Sequence, residues 1–341
     1  MNIRRVSTPG ARLWDNGGAD DGTGGGLVTI ERGAKVGFLG LGAMGLPMAA
    51  NLVEAGFDVT GFDVLPERVA ELRAQGGRGA ISAAEAARGA RVVAAIPFDA
   101  EQIRQAMLGE GGALETLAPG SLVILMATVG PQALRDLAAE IVARGYRVVD
   151  APVTGGAAGA KAGTLTVISA GADEDLDLAE PVLQPMAGQI FRVGWEPGQG
   201  QMIKLVNQLL VGTHLAAALE AMALARAAGA DLQQVYDLLI TGQARSQMMV
   251  SKIPPLLDSG FATGSSLRIF TAKDLPLVLD AGREFGVTMM TATAALQTME
   301  LGAAAGIEDA TDADLIRLLV DGNAAEARHI AADGDSKGAA G

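Results

Sequence analysis

"GFLGLGAMGLPMAANL", residues 37–52, sets Gly40, Gly42 and Gly45 directly after an apolar run. The spacing is G-x-G-x-x-G, and its surroundings decide how it reads. "AKVGFLG" before it has the apolar content of a buried strand, and "MGLPMAANLVEAG" after it has a helical period closed by Gly56. In a strand-turn-helix of this kind the first glycine permits the tight turn. The second lets backbone approach a pyrophosphate, and the third lets the helix pack closely on the strand. Free N–H groups at the helix start then meet the phosphates. The expected cradle is Gly40, Leu41, Gly42, Ala43, Met44 and Gly45. A second strand, "FDVTGFD", ends at Asp63, eighteen residues after Gly45. A carboxylate there suits a ribose 2′-OH and repels a 2′-phosphate, which favours NAD over NADP. Arg68 is the one nearby cation that would serve NADP, whereas Val64 supplies no charge.

Working outward, strands continue to alternate with helices: "PERVAELRAQG" with Pro66 at a first helical position, "RVVAAIP", "DAEQIRQAML", "SLVILMA", "GPQALRDLAAEIVARG" and "YRVVDAP". Such alternation implies βαβ crossovers and a doubly wound parallel sheet, a Rossmann-type α/β domain. "GTLTVISAG", "DEDLDLAEPVL" and "QIFRVG" extend it. After "GWEPGQG" the period is almost purely helical, opening with a run of up to thirty residues ended by Gly229. The expected organisation is a flexible tail over 1–33, a dinucleotide-binding domain over 34–196, an all-α substrate and dimerisation domain over 197–330 joined by one long interdomain helix, and a disordered tail over 331–341.

Composition excludes several function classes. With 39 acidic against 26 basic residues and no Lys/Arg run, nucleic acid is a poor partner. The absence of cysteine removes disulfides, thiol catalysis and thiolate metal sites. The most apolar stretch carries His214 and Glu220 in its interior, which reads as a buried core helix and not a membrane span. The acids in "DNGGADDGTGGG" argue against a mitochondrial targeting segment, leaving the cytoplasm as the default.

Hydride transfer to or from a carbinol needs a proton carrier beside the oxygen. His214 lies in an apolar helical run, where a core histidine competes with a substrate contact, and His329 lies in the weakly patterned tail. Lys204 interrupts the apolar helix start "GQGQMIKLVNQLL", and Lys204, Asn207 and Val211 share one face with His214 nearly in line. A lysine buried there acquires a pKa useful for acid–base work, and the competing reading is a side chain snorkelling from a helix end. In "DAPVTGGAAGAKAGTLTVISAG", Thr154 offers a hydroxyl, and Gly155 with Gly156 bares successive N–H groups, a nest for a carboxylate or else a plain turn.

These residues make the chain resemble the β-hydroxyacid dehydrogenase family. The likeness spans about 35–320 and rests on "GFLGLGAMGLPMAANL", "AIPFDAEQI", "ATVGP", "DAPVTGGAAGAKAGTL" and "GQGQMIKLVNQ" in that order, with "KDLPLVLDA" following. The resemblance implies that Lys204 is the proton donor and acceptor, that Asn207 helps hold the substrate, and that Thr154, Gly155 and Gly156 bind its carboxylate. It also implies cofactor contacts at Ile96, Pro97, Thr128 and Lys273, and a homodimer or homotetramer formed through the α domain. Thr154 and Ala127 stand where serine is common in the family, narrowing the pocket and removing one hydrogen bond. Imine reductases related to the family lack the lysine, so Lys204 points to alcohol oxidation. "VNQLLVGTHLAAALEAMALARAAG", His214 included, looks most like the branch acting on L-threonate. Substrates such as 3-hydroxyisobutyrate or tartronate semialdehyde compete with it, and a non-catalytic dinucleotide sensor is the rival from another class.

Overall fold

A computed structural model describes residues 30–321 of the chain. It divides into two compact units, the first ending at Lys204 and the second beginning at Leu205. Residues 1–29 of the expected N-terminal tail lie outside the described residues, as do 322–341, which include His329 and the expected C-terminal tail. Residues 30–33 are part of the fold: Ile30 is buried in the core, and the Gly33 N–H donates to the Gly56 carbonyl at 2.8 Å.

The first unit runs β1 (Lys35–Leu39), α1 (Gly45–Glu54), β2 (Asp58–Phe62), α2 (Pro66–Ala74), β3 (Arg78–Gly79), α3 (Ala83–Ala87), β4 (Val92–Ala95), α4 (Ala100–Leu108), β5 (Leu122–Leu125), α5 (Pro131–Val142) and β6 (Arg147–Asp150). It continues with β7 (Val153–Thr154), α6 (Gly156–Ala162), β8 (Leu165–Ala170), α7 (Asp173–Leu183) and β9 (Ala187–Gly194). The sheet order is β3-β2-β1-β4-β5-β6-β8-β7, with β9 also on β8. Strands β1 to β6 pair in parallel. The inner strands β4 and β5 are buried on both faces, which is why "VVAA" and "LVIL" read as unbroken apolar runs. Beyond them β8 turns antiparallel to β6 and β7 and pairs β9 in parallel. The strand order reverses between β1 and β4, and in open sheets of this kind ligands bind at the carboxyl ends of the strands flanking that reversal.

Four short elements carry no period in the sequence. β3 and α3 lie in the Gly/Ala-rich stretch after α2. β7 and α6 occupy the segment read as a nest or a turn.

The second unit is helical. α8 (Gln199–Ala227) begins in the first unit and continues into the second, followed by α9 (Leu232–Leu239), α10 (Gln247–Asp258), a π turn over Phe270–Asp274 leading into α11 (Leu275–Glu284), α12 (Met290–Ala304) and α13 (Asp312–Asp321). By length and composition alone α8 could cross a membrane. Leu205, Leu215, Leu219 and Met222 nevertheless lie in the second unit's own core.

Candidate active site

The glycine loop has the steric logic its spacing implies. Gly40 adopts φ +90°, a region that disfavours side chains, and a Cβ there would lie 2.9 Å from the Ile96 carbonyl group. A Cβ on Gly45 would run into the Gly40 carbonyl oxygen, so helix α1 rests directly on the turn. Around Gly42 a Cβ would meet nothing within 4 Å. Two of the glycines are therefore required by the protein itself, while the third opens onto free space, where a pyrophosphate can approach. The first N–H groups of α1 have no acceptor within the helix, and Gly42 and Ala43 are exposed beside them.

Asp63 lies against the glycine loop. Its Oδ2 accepts from the Leu41 N–H at 2.6 Å and its Oδ1 from the Leu65 N–H at 2.9 Å, so the half-buried carboxylate is fixed against the glycine loop. Leu41 is part of this anchoring: its N–H donates to Asp63 and its side chain is fully buried. Arg68 is paired with Glu71 at 3.0 Å on α2. Ile96 and Pro97 follow β4, with the Ile96 N–H donating to the Leu39 carbonyl at 2.9 Å, and so border the same loop.

Thr128 follows β5 and is 8 % exposed. Its turn is held by a side chain that pattern reading passed over: Gln201, fully buried in the first turn of α8. Gln201 Oε1 accepts from the Val129 and Gly130 N–H groups at 2.9 and 3.2 Å, and Nε2 donates to the Ala127 carbonyl at 3.1 Å. Nε2 also donates to Asp150 Oδ1 at 2.8 Å, while Asp150 Oδ2 accepts from the Gly198 and Gln201 N–H groups at 2.9 and 3.0 Å. Burial pushes the Asp150 carboxyl up to about 7, against the pull of N–H donors from Gln201, Gly198 and Gly200. The sequence held one signal for this pair, a carboxylate ending the apolar strand "RVVD".

Lys204, one turn beyond Gln201 on α8, is 6 % exposed. That excludes a snorkelling side chain. Thr154 is half-buried at the end of β7, and Gly155 and Gly156 are exposed with φ +129° and +64°, leading into α6. What was read as a nest or a plain turn is thus the start of a short helix. Asn51 Nδ2 ties that helix to α1 by donating to the Ala160 carbonyl at 2.8 Å.

In the second unit Asn207 Nδ2 donates to Gln208 Oε1 at 2.9 Å, Gln208 Nε2 donates to Asp274 Oδ2, and Lys273 Nζ lies 4.0 Å from Asp274 Oδ1. Asn207 and Lys273 are therefore joined through two buried side chains that the sequence reading did not single out. The π turn that carries Lys273 and Asp274 is a helix irregularity of the kind often found at functional sites.

His214 corrects an expectation. It is exposed, not a core residue. Its exposure leaves the substrate-contact reading of His214 standing. Among the described residues no group of three or more His, Cys, Asp or Glu could hold a metal.

Comparison with known proteins identifies the family. The family model described as the NAD binding domain of 6-phosphogluconate dehydrogenase matches residues 35–194. A second, described as NAD-binding of NADP-dependent 3-hydroxyisobutyrate dehydrogenase, matches residues 198–319. An L-threonate dehydrogenase of Cupriavidus necator is 36% identical over 83% of this chain and 95% of its own length. The chain belongs to the β-hydroxyacid dehydrogenase family. As a β-hydroxyacid dehydrogenase it is an oxidoreductase acting on CH–OH groups with a nicotinamide dinucleotide. Other relatives include a 3-hydroxyisobutyrate dehydrogenase of Pseudomonas aeruginosa, 37% identical over 72% of this chain and 84% of that one. Among solved structures, a 3-hydroxyisobutyrate dehydrogenase from Salmonella typhimurium aligns with TM-score 0.77 at 33% identity, covering 83% of this chain and 99% of that one.

Proposed function

We propose that this β-hydroxyacid dehydrogenase oxidises a small sugar-acid type of hydroxy acid, L-threonate-like, with NAD, and that Lys204 is the general acid/base. The observation that carries the reading is the burial of Lys204 on α8, one turn past the side chain that anchors the Thr128 turn and three residues before Asn207. Residues 40–45, Asp63, Ile96, Pro97, Thr128 and Lys273 hold the dinucleotide. Thr154, Gly155 and Gly156 bind the substrate carboxylate, and Asn207 orients a hydroxyl. When bound, the nicotinamide supplies the hydride acceptor. The chain's own part is the proton: Lys204 Nζ, neutral before the step, takes it from the hydroxyl as the C–H electron pair leaves with the hydride. The carbinol becomes a carbonyl and the amine an ammonium. Matches to 3-hydroxyisobutyrate dehydrogenases support a second reading, oxidation of 3-hydroxyisobutyrate on the same residues.

NAD is favoured because the Asp63 carboxylate is fixed by two backbone N–H groups and Arg68 is engaged with Glu71. A panel of C3 to C5 hydroxy acids, followed as reduced cofactor with NAD and NADP in parallel, tests substrate and cofactor together. L-threonate with NAD is expected to give the highest kcat/KM. Asp63→Ala should narrow the NAD preference by at least about 10-fold, the equivalent of roughly one charge-assisted hydrogen bond. Unchanged discrimination in that variant would remove Asp63 from the assignment.

The chain's expected partner is its own copy. Leu224 on α8, Leu238 on α9 and Met290 on α12 are each more than 70 % exposed, apolar surface that association would cover. Light scattering at low micromolar concentration should give the mass of a dimer or tetramer, and a stable monomer would refute the arrangement.

A further inference from the structure

The buried pair Asp150 and Gln201 does more than fill the interior of the first unit. Its hydrogen bonds converge on two segments. One is the beginning of α8, where Asp150 Oδ2 takes the N–H groups of Gly198 and Gln201. The other is residues 127–130, where the two ends of the Gln201 carboxamide take the Val129 and Gly130 N–H groups and the Ala127 carbonyl. The Asp150–Gln201 contact at 2.8 Å closes the circuit. A Cβ at Gly200 would sit 2.8 Å from the Ile168 carbonyl oxygen and 2.9 Å from Asp150 Oδ2, so this first turn lies flush on β6 and β8.

Helix starts are the least constrained part of a helix, because their first N–H groups lack internal acceptors. Here a fully buried carboxylate accepts two of those N–H groups, and its negative charge stands at the favourable end of the helix dipole. Every group donating to Asp150 is an N–H, so the hydrogen bonds favour the ionised carboxylate while burial opposes it. Lys204 follows Gln201 by three residues on the same helix.

We infer that Asp150 and Gln201 are positioning residues for Lys204, clamping the first turn of α8, and with it the amine, against the turn that carries Thr128. The inference rests on the proposed role of Lys204 as proton carrier. Neither residue touches substrate or takes a proton from it. They set where the amine stands, and a misplacement of about 1 Å at a reacting group can cost about 100-fold in rate.

The test uses Asp150→Asn, Gln201→Glu and the double variant in the full-length enzyme. In Asp150→Asn an amide NH2 replaces an oxygen acceptor and faces Gln201 Nε2, donor against donor. In Gln201→Glu two carboxylates face each other. The double variant restores one donor opposite one acceptor and keeps acceptors for the Val129, Gly130, Gly198 and Gln201 N–H groups, leaving only the Ala127 carbonyl without its donor. Each single variant should lose about 10- to 100-fold in kcat per NADH-titrated site. NADH affinity, read by fluorescence, should change far less. The solvent deuterium isotope effect on kcat should rise as proton transfer becomes limiting. In the enzyme without cofactor, amide hydrogen exchange over 198–206 should accelerate ahead of the rest of the first unit. The double variant should recover most of the rate and the protection.

Single variants with wild-type kcat and isotope effect would overturn the inference. So would a loss that appears only as fewer NADH-binding sites with unchanged turnover per site, the signature of a purely structural role. If the single variants do not fold, the double variant decides: recovered turnover supports the clamp, whereas a native Tm and NADH affinity with turnover still lost refutes it. Full activity in Asp150→Asn beside an inactive Lys204→Ala sinks the clamp and leaves the function standing. An active Lys204→Ala sinks the function itself.

Discussion

Lys204→Ala is expected to lower kcat by about 100- to 10,000-fold, the usual worth of a positioned general acid/base, while NADH binds with nearly unchanged affinity. The separation of the two effects follows from where the groups stand. The dinucleotide is assigned to the glycine loop, Asp63 and the ends of β4 and β5, none of which Lys204 builds. Burial adds a sharper control. A fixed positive charge that merely held the substrate's oxygen would be replaced by Lys204→Arg, whose guanidinium remains protonated throughout the working pH range. A proton carrier would not be replaced, so Lys204→Arg should be about as inactive as Lys204→Ala. Single-turnover kinetics with NADH release measured separately will show whether the loss lies in the chemical step. Near-normal kcat in the alanine variant rules out the proton-carrier role, and substantial activity in the arginine variant reduces it to electrostatic holding.

The fold and the geometry of one half of the candidate site were legible because their determinants are local. A G-x-G-x-x-G between an apolar run and a helical period, followed eighteen residues on by Asp63, needs no knowledge of tertiary neighbours, and the structure places the glycine loop and that carboxylate within one hydrogen bond of each other. What escaped was either very short or long-range. α3 has only five residues, yet "SAAE" is a capping-box pattern. Ser82 Oγ accepts from the Glu85 N–H at 3.1 Å and Glu85 Oε2 from the Ile81 N–H at 2.7 Å, so the signal was present for a reader of caps and invisible to a reader of periods. α6 was hidden by its composition, four alanines and two glycines in seven residues, which carries no apolar period.

Asp150 and Gln201 illustrate the harder limit. They are 51 residues apart, and Gln201 stands 72 residues from Val129, so no window of sequence contains the pair with its partners. The chain linking Asn207 to Lys273 through Gln208 and Asp274 has the same character, its Gln208–Asp274 bond spanning 66 residues. His214 failed in the opposite way. Its neighbours Leu215 and Leu219 are buried, which made the whole run read as interior, but a helix buries a stripe and not a run. Val206, Leu210, His214 and Leu224 all belong to the exposed side.

Gly42→Ala and Gly45→Ala, two methyl groups three residues apart, are expected to fail for opposite reasons. At Gly45 the new Cβ meets the Gly40 carbonyl oxygen, a backbone atom held in place by the Gly40 turn and by Ile96 behind it. The protein must strain with or without cofactor, at about 1–3 kcal/mol or more, and its Tm should fall by roughly 2–4 °C per kcal/mol in a protein of this size class. At Gly42 the same methyl group meets nothing within 4 Å and the backbone has no positive φ, so the cofactor-free protein should melt as the wild type does. The penalty there arises only when a pyrophosphate comes against the backbone. A comparable 1–3 kcal/mol of overpacking would then weaken NADH binding by roughly 5- to 150-fold. Thermal melts of both variants with and without NADH separate the two cases: Gly45→Ala lowers the baseline Tm, whereas Gly42→Ala keeps the baseline and loses the upward shift that ligand binding gives. Wild-type NADH stabilisation in Gly42→Ala would mean that the pyrophosphate does not pass over this turn, and the assignment of the glycine loop would fall with it.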